Sequence, residues 1–142
     1  MTNGTKVVKR NGQKEPLDLN KLHVMVEQAC KDLAGVSASQ VEIQSGIQFY
    51  DGITTDEIQE ILIRSASDLI DLDHPNYQFV AARLLMFALR KQLFGRMHEF
   101  PTLYKHVERC IGRGVYDPEI LTLYTYEEFE KMEFYIDHDR DY

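Results

Sequence analysis

Asn11-Gly12 stands between two short runs, Lys6-Val7-Val8-Lys9-Arg10 and Gln13-Lys14-Glu15-Pro16-Leu17, and leaves the backbone few options there. The pair suits a type I′ turn, whose two central residues both need positive φ, so the flanking runs predict an antiparallel β-hairpin. Pro16 cannot donate to a ladder and marks an edge or the end of its strand. A two-stranded hairpin is marginal by itself. It has to lie on something, and the next stretch of chain reads as helix.

Helix one is expected to start at the N-cap Asp18 and end near Gly35, with Leu22, Val26, Ala29 and Leu33 on one apolar face. Ser37-x-x-Gln40 opens a second helix that closes at Asp51-Gly52 and carries the stripe Ile43, Ile47 and Tyr50. A third begins at the capping box Thr54-x-x-Glu57, with Ile58, Ile61, Leu62, Ser65, Ala66 and Leu69 as its seam. The fourth has Pro75 in its first turn and Gly95 past its end. From Phe79 to Leu89 it is apolar on nearly every side except Arg83, the pattern of a central helix buried by several neighbours. Beyond Gly95 the elements shorten. A helix is expected over Pro101–Ile111, with Leu103, Val107, Cys110 and Ile111 inward, and a turn of helix after Asp117-Pro118. Thr125-x-x-Glu128 caps a last helix bearing Phe129, Met132 and Ile136, and the run 137–142 has the look of a connector.

A length of 142 residues suits about one domain. The longest uninterrupted apolar stretch, Leu84 to Leu89, is far short of the roughly 20 residues of a membrane span. Met1-Thr2-Asn3-Gly4 does not open a signal peptide, so a cytoplasmic protein is the expectation. Cys30 and Cys110 are too few and too far apart for a zinc ribbon or a CxxC pair, and read as small core side chains. The net charge of −7 argues against a general nucleic-acid binder. Its distribution says more. Residues 1–23 hold five cations (Lys6, Lys9, Arg10, Lys14, Lys21) against Glu15 and Asp18, whereas residues 117–142 hold nine carboxylates against Lys131 and Arg140.

Lys21 lies in the first turn of helix one, where a cation opposes the helix dipole unless an anion shares the site. A helix N-terminus beside Lys9 and Arg10 makes a plausible phosphate cradle, and Lys91 could join if helix four packs antiparallel to helix one. The alternative reading makes Lys6, Lys9 and Lys14 edge-strand charges that discourage aggregation. Thr54 suffices as a cap, which leaves the Thr55 hydroxyl for a ligand with Gln59 one turn on, or simply makes an ordinary helix start. Other chemistry is not legible. There is no GxxxxGK[ST] loop, and Gly112-Arg113-Gly114 lacks the third glycine of a dinucleotide fingerprint. His23, His74, His98, His106 and His138 suggest no i,i+4 pair and no cluster with the cysteines, so no metal site and no catalytic residue is expected.

In order and spacing, Val7-x-Lys9-Arg10-x-Gly12-x-x-Glu15, Lys21, Asp51-Gly52-Ile53-Thr54-Thr55 and Tyr77-Gln78-Phe79-Val80-Ala81-Ala82-Arg83 closely resemble the ATP-cone. That is the nucleotide-sensing domain of ribonucleotide reductase large subunits. Leu89-Arg90-Lys91, Tyr116-Asp117 and Ile136-Asp137-His138-Asp139-Arg140-Asp141 look like the segment joining the cone to the catalytic barrel in class Ia bacterial and phage enzymes. The resemblance implies a mainly α fold, a four-helix bundle capped by a small β-hairpin or three-stranded sheet, followed by a short helical connector. The cone would span residues 1–95 and the connector 96–142.

It further implies that ATP or dATP, with magnesium, binds between cap and bundle and controls overall activity through oligomerisation. The contacts carried over by position are Val7, Lys9, Arg10, Glu15, Lys21, Thr55 and Lys91. The family often has asparagine at Asp18 and histidine at Gln59, so these two complete the candidate set. Asp18 brings negative charge unless it is used as the cap, and Gln59 can hydrogen-bond but cannot become cationic. The implied partners are the reductase catalytic domain, the small (beta) subunit in inhibited assemblies and a second copy, with no nucleic acid and no membrane. The chain alone would be regulatory and not catalytic, since the barrel and its cysteines would lie beyond Tyr142. A rival reading is a degenerate cone that docks subunits without binding nucleotide. ATP-cones also occur in transcriptional repressors behind a zinc ribbon, but here the hairpin starts within a few residues of Met1 and the four cysteines are absent.

Overall fold

Three short strands form a sheet in the order β2-β1-β3, with β1 (Lys6–Val8) in the middle. β1 pairs antiparallel with β2 (Lys14–Pro16), placing Val7 opposite Glu15. It pairs in parallel with β3 (Ile53–Thr54), placing Val7 opposite Ile53 and Val8 opposite Thr54. The computed structural model describes residues 4–96 and 100–141; Met1, Thr2, Asn3, His98 and Tyr142, named above, lie outside them. The chain divides into two units, Met1–Leu89 and Arg90–Tyr142.

In the first unit the sheet sits with α1 (Leu19–Cys30), α2 (Ala38–Gly46), α3 (Thr55–Asp68) and α4, which runs on to Phe94 from Tyr77. Val7 and Ile53 are buried, as are Val26 and Ala29 of α1, Val41 of α2, Leu62 and Ala66 of α3, and Val80, Leu84 and Phe87 of α4. This is one hydrophobic core, a bundle of four helices capped by a small sheet. The start of α4 meets the end of α1. Asn76 Nδ2 donates to the Ala34 carbonyl (2.9 Å) and the Arg83 guanidinium to those of Ala29 (3.1 Å) and Lys31 (2.6 Å). Arg83, the single charge in an apolar run, thereby satisfies carbonyls left over at the end of α1.

Several sequence expectations need correction. α1 stops at Cys30, not near Gly35: Lys31 already leaves helical geometry (ψ 133°), and Asp32 follows at positive φ (60°). α2 stops at Gly46, not at Asp51-Gly52: Ser45 Oγ bonds back to the Glu42 carbonyl (3.1 Å), and glycine is a poor helix residue. Its buried residues are Val41 and Ser45, and the expected stripe of Ile43, Ile47 and Tyr50 is exposed. Ser45 and Ser65 are both fully buried, so α2 and α3 pack through small side chains that a search for large apolar residues passes over. α4 is not covered all round. Tyr77, Val80, Leu84 and Phe87 are buried, while Phe79, Leu85, Met86 and Leu89 are exposed.

The second unit contains α5 (Leu103–Gly112), α6 (Ile120–Leu123), α7 (Tyr126–Phe134) and a 3-10 turn at His138–Asp141. α5 packs on α7 around Val107 and Phe129, and the Tyr104 ring lies edge-on to those of Tyr126 and Phe129. Thr102 caps α5, and Thr125 with Glu128 forms a complete capping box on α7. The terminal acidic run enters the 3-10 turn, and His138 stacks on Phe100 with centroids 4.3 Å apart. Among the described residues no helix is long and apolar enough to cross a membrane.

Candidate functional site

The hairpin turn is not the expected type I′. Lys9 N–H donates to the Gln13 carbonyl and Gly12 N–H to that of Lys9, both at 2.8 Å, and Gly12 has φ 82° while Asn11 does not enter positive φ. That is a type I turn followed by a left-handed glycine bulge, a three-residue loop. Asn11 Oδ1 accepts from Gln13 N–H (3.0 Å) and braces it. The change moves Arg10 out of the strand to the tip of the turn.

From there the Arg10 guanidinium reaches the first turn of α3, with Nη2 2.9 Å and Nε 3.0 Å from Asp56 Oδ1. The parallel pairing of β1 with β3 explains this, since β3 runs straight into α3 at the same end of β1 from which the hairpin turns. The start of α1 lies at the other end, where Leu17 N–H donates to the Thr5 carbonyl (2.9 Å). The helix N-terminus beside Lys9 and Arg10 is therefore that of α3, not that of α1 as the sequence suggested. Four residues of strand, about 13 Å, separate Thr5 from Lys9. Lys21 belongs to the Thr5 end and Thr55 to the Lys9 end.

Lys9 and Lys21, like Arg10, each have a carboxylate beside them. Lys9 Nζ is 3.2 Å from Glu15 Oε2, and Lys21 Nζ is 3.7 Å from Asp18 Oδ2. Asp18 Oδ1 meanwhile accepts from the N–H groups of Asn20 (3.1 Å) and Lys21 (3.3 Å), so Asp18 is used as the cap. Thr54 takes both halves of the α3 capping box with Glu57, and the Thr55 hydroxyl makes no hydrogen bond to any described residue. Val7 is a core side chain, 4% exposed, so only its backbone could face a ligand. Gln59 is also buried, at 7% exposure. Lys91 stands in the last turn of α4, past the division between the units. The structure thus brings Lys9, Arg10 and Thr55 to one end of β1 and Lys21 to the other, with Glu15 on the neighbouring strand.

Asp56 is the residue sequence reasoning missed. Its signal was an acid in the first turn of a helix next to a threonine with no capping duty, but its partner lies 46 positions away. Nearby, the backbone N–H of Thr54, then the Thr54 hydroxyl and Tyr50, hold the Glu57 carboxyl below its ordinary range. The same Tyr50–Glu57 hydrogen bond (3.0 Å) pushes the Tyr50 phenol up. Elsewhere His106 and Cys110 lie one turn apart on α5, with Nε2 3.6 Å from Sγ, a pair the sequence reading did not single out. Among the described residues no group of three or more His, Cys, Asp or Glu side chains could hold a metal ion.

Residues 5–92 match the family model of the ATP cone domain. The chain is 50% identical over 135 residues to ribonucleoside-diphosphate reductase 1 subunit alpha of Escherichia coli (strain K12), covering 95% of this chain and 18% of that protein. It is 45% identical over 141 residues to the subunit alpha of Buchnera aphidicola subsp. Schizaphis graminum, covering 99% and 18%. Against the subunit alpha of Enterobacteria phage T4 the identity is 39% over 137 residues, covering 95% and 18%. The chain therefore spans about a fifth of the length of these relatives. The matched span takes in the sheet, α1 to α3, all but the last two residues of α4 and both ends of β1, and the chain belongs to the ATP-cone domain family.

Proposed function

We propose that this chain is a nucleotide-sensing regulatory domain of a cytoplasmic ribonucleoside-diphosphate reductase large subunit, binding ATP or dATP. The observation that carries the reading is the meeting of Lys9, Arg10 and the Thr55 hydroxyl, which bonds to no described residue, at the start of α3. A helix N-terminus offers free N–H groups and a positive dipole end, and the added cations suit a polyphosphate. The phosphates would lie at this end of β1. The remainder of the nucleotide would extend along the hairpin past Glu15 toward Lys21, with Asp18, Gln59, Lys91 and the Val7 backbone as further candidate contacts. Magnesium would travel on the phosphates, because the described side chains form no cage for it.

Such a domain does no chemistry of its own. A nucleotide shifts an equilibrium between assemblies only by its differential affinity for them. The assemblies would be built from the reductase catalytic domain, the small subunit and further copies of the large subunit. Residues 1–95 are the sensor on this reading, and residues 96–142 the connector to the catalytic domain.

Calorimetric titration of the chain with ATP and with dATP, magnesium present, tests this. Binding of both is expected, and the ratio of affinities sets the concentration ratio of dATP to ATP at which one nucleotide replaces the other. A folded sample silent to both removes the sensor reading and leaves a subunit-docking module. That second reading draws on one observation: Lys9, Arg10 and Lys21 each already have a carboxylate within 4 Å.

A further inference from the structure

The contact between Arg10 and Asp56 has the geometry of the interaction a phosphate would make. Asp56 is the second residue of α3, where the helix dipole favours an anion. One of its oxygens takes two guanidinium N–H groups, at 2.9 Å through Nη2 and 3.0 Å through Nε. The carboxylate thus uses both attractions offered by this end of β1, the Arg10 charge and the positive end of α3. Thr55, its immediate neighbour, has a hydroxyl that makes no hydrogen bond to any described residue.

We infer that Asp56 is a built-in competitor for the nucleotide: it holds Arg10 when no ligand is bound, and an incoming phosphate must displace it. The inference rests on the nucleotide-binding reading and adds a specific antagonist to that site. The pair is suited to being displaced. Its side chains are 43% and 62% exposed, and ion pairs this open to water are weak. A triphosphate carries several charges against the single charge of Asp56, so it can win the guanidinium while a monoanion gains little. The competition also has a mechanical consequence. Arg10 sits at the tip of the hairpin and Asp56 on a helix of the bundle, so exchanging one anion for the other changes what ties cap to bundle.

The test is calorimetric titration of the whole chain with ATP and magnesium, comparing the parent with Asp56→Asn, Arg10→Ala, the double variant and Glu60→Gln. Glu60 is exposed and lies one turn further along α3, so its removal alters the net charge equally without freeing Arg10. Asp56→Asn is expected to bind roughly 3- to 20-fold tighter, through loss of a weak exposed ion pair and of carboxylate–phosphate repulsion. Glu60→Gln should stay within about twofold of the parent. In the Arg10→Ala background the gain from Asp56→Asn should fall by at least half, which is the coupling a double-mutant cycle isolates. Asp56→Ser serves in place of Asp56→Asn if circular dichroism shows the latter unfolded. A parent that binds, with Asp56→Asn no tighter or with an equal gain from Glu60→Gln or an undiminished gain without Arg10, overturns the competitor and leaves the site. Silence from parent and Asp56→Asn alike removes the site and the competitor together. A silent parent and a binding Asp56→Asn would support the competitor in its strongest form.

Discussion

Lys9 and Lys21 stand at opposite ends of the stretch of backbone around β1, and that separation decides what each can do for a ligand. If one nucleotide spans both, Lys9→Ala and Lys21→Ala should each weaken ATP binding by about 1–3 kcal/mol, the scale of a charge-assisted hydrogen bond. Calorimetry on both single variants checks it. A normal Lys21→Ala beside a weakened Lys9→Ala would confine the ligand to the α3 end. Gly12 belongs to the same argument. Its φ of 82° is left-handed, yet an added Cβ would meet nothing within 4 Å, so Gly12→Ala costs only the backbone strain. Chemical denaturation should show a loss of about 1–2 kcal/mol. At this scale the cations and the threonine caps were readable, because charge and capping are local properties of a sequence. The turn type was not, since Asn-Gly fits both a type I′ turn and a type I turn with a glycine bulge, and only the geometry puts Arg10 at the tip.

Between elements, the join of α1 to α2 carries a titratable lock. His23 Nδ1 lies 2.6 Å from Glu42 Oε1 on α2, and its Nε2 lies 3.2 Å from Glu27 on its own helix. The hydrogen bond to Glu42, then the charges of Glu42 and Glu27, raise the imidazole above its ordinary 6.5. A base raised on folding adds stability that is fully present below its unfolded value and is lost as pH rises through the folded one. Urea midpoints should therefore fall from pH 6 to pH 8.5 by more in the parent than in His23→Gln. Equal slopes would show that the lock contributes nothing. The helices themselves were legible from caps and period, and the capping box at Thr54-Glu57 is present as the sequence indicates. What was illegible is which face each helix buries when both faces are apolar, as in α4, or when the buried residue is a serine, as in α2. β3, with two residues, is too short to have a periodicity, yet its pairing decides that α3 and not α1 meets the hairpin turn.

For the whole molecule, the proposed division between sensor and connector makes a test of where the binding energy resides. The first unit has its own buried core, drawn from the sheet and all four helices, and α4 ends at Phe94 ahead of Gly95, whose φ is 78°. A chain of residues 1–95 keeps that core, keeps α4 whole and retains every candidate contact, Lys91 included. It should unfold in one cooperative transition, as small single domains generally do. The truncation also removes six basic and eleven acidic side chains, a net charge of −5. Long-range repulsion of an anionic ligand then falls, an effect that salt screens beyond about 10 Å. ATP affinity should be unchanged or up to about threefold tighter, and the difference should vanish in about 0.5 M salt, where exposed charges are screened within a few ångströms. A loss of more than tenfold in a folded 1–95 chain would mean that residues 96–142 supply part of the binding site, and the boundary between sensor and connector would have to move.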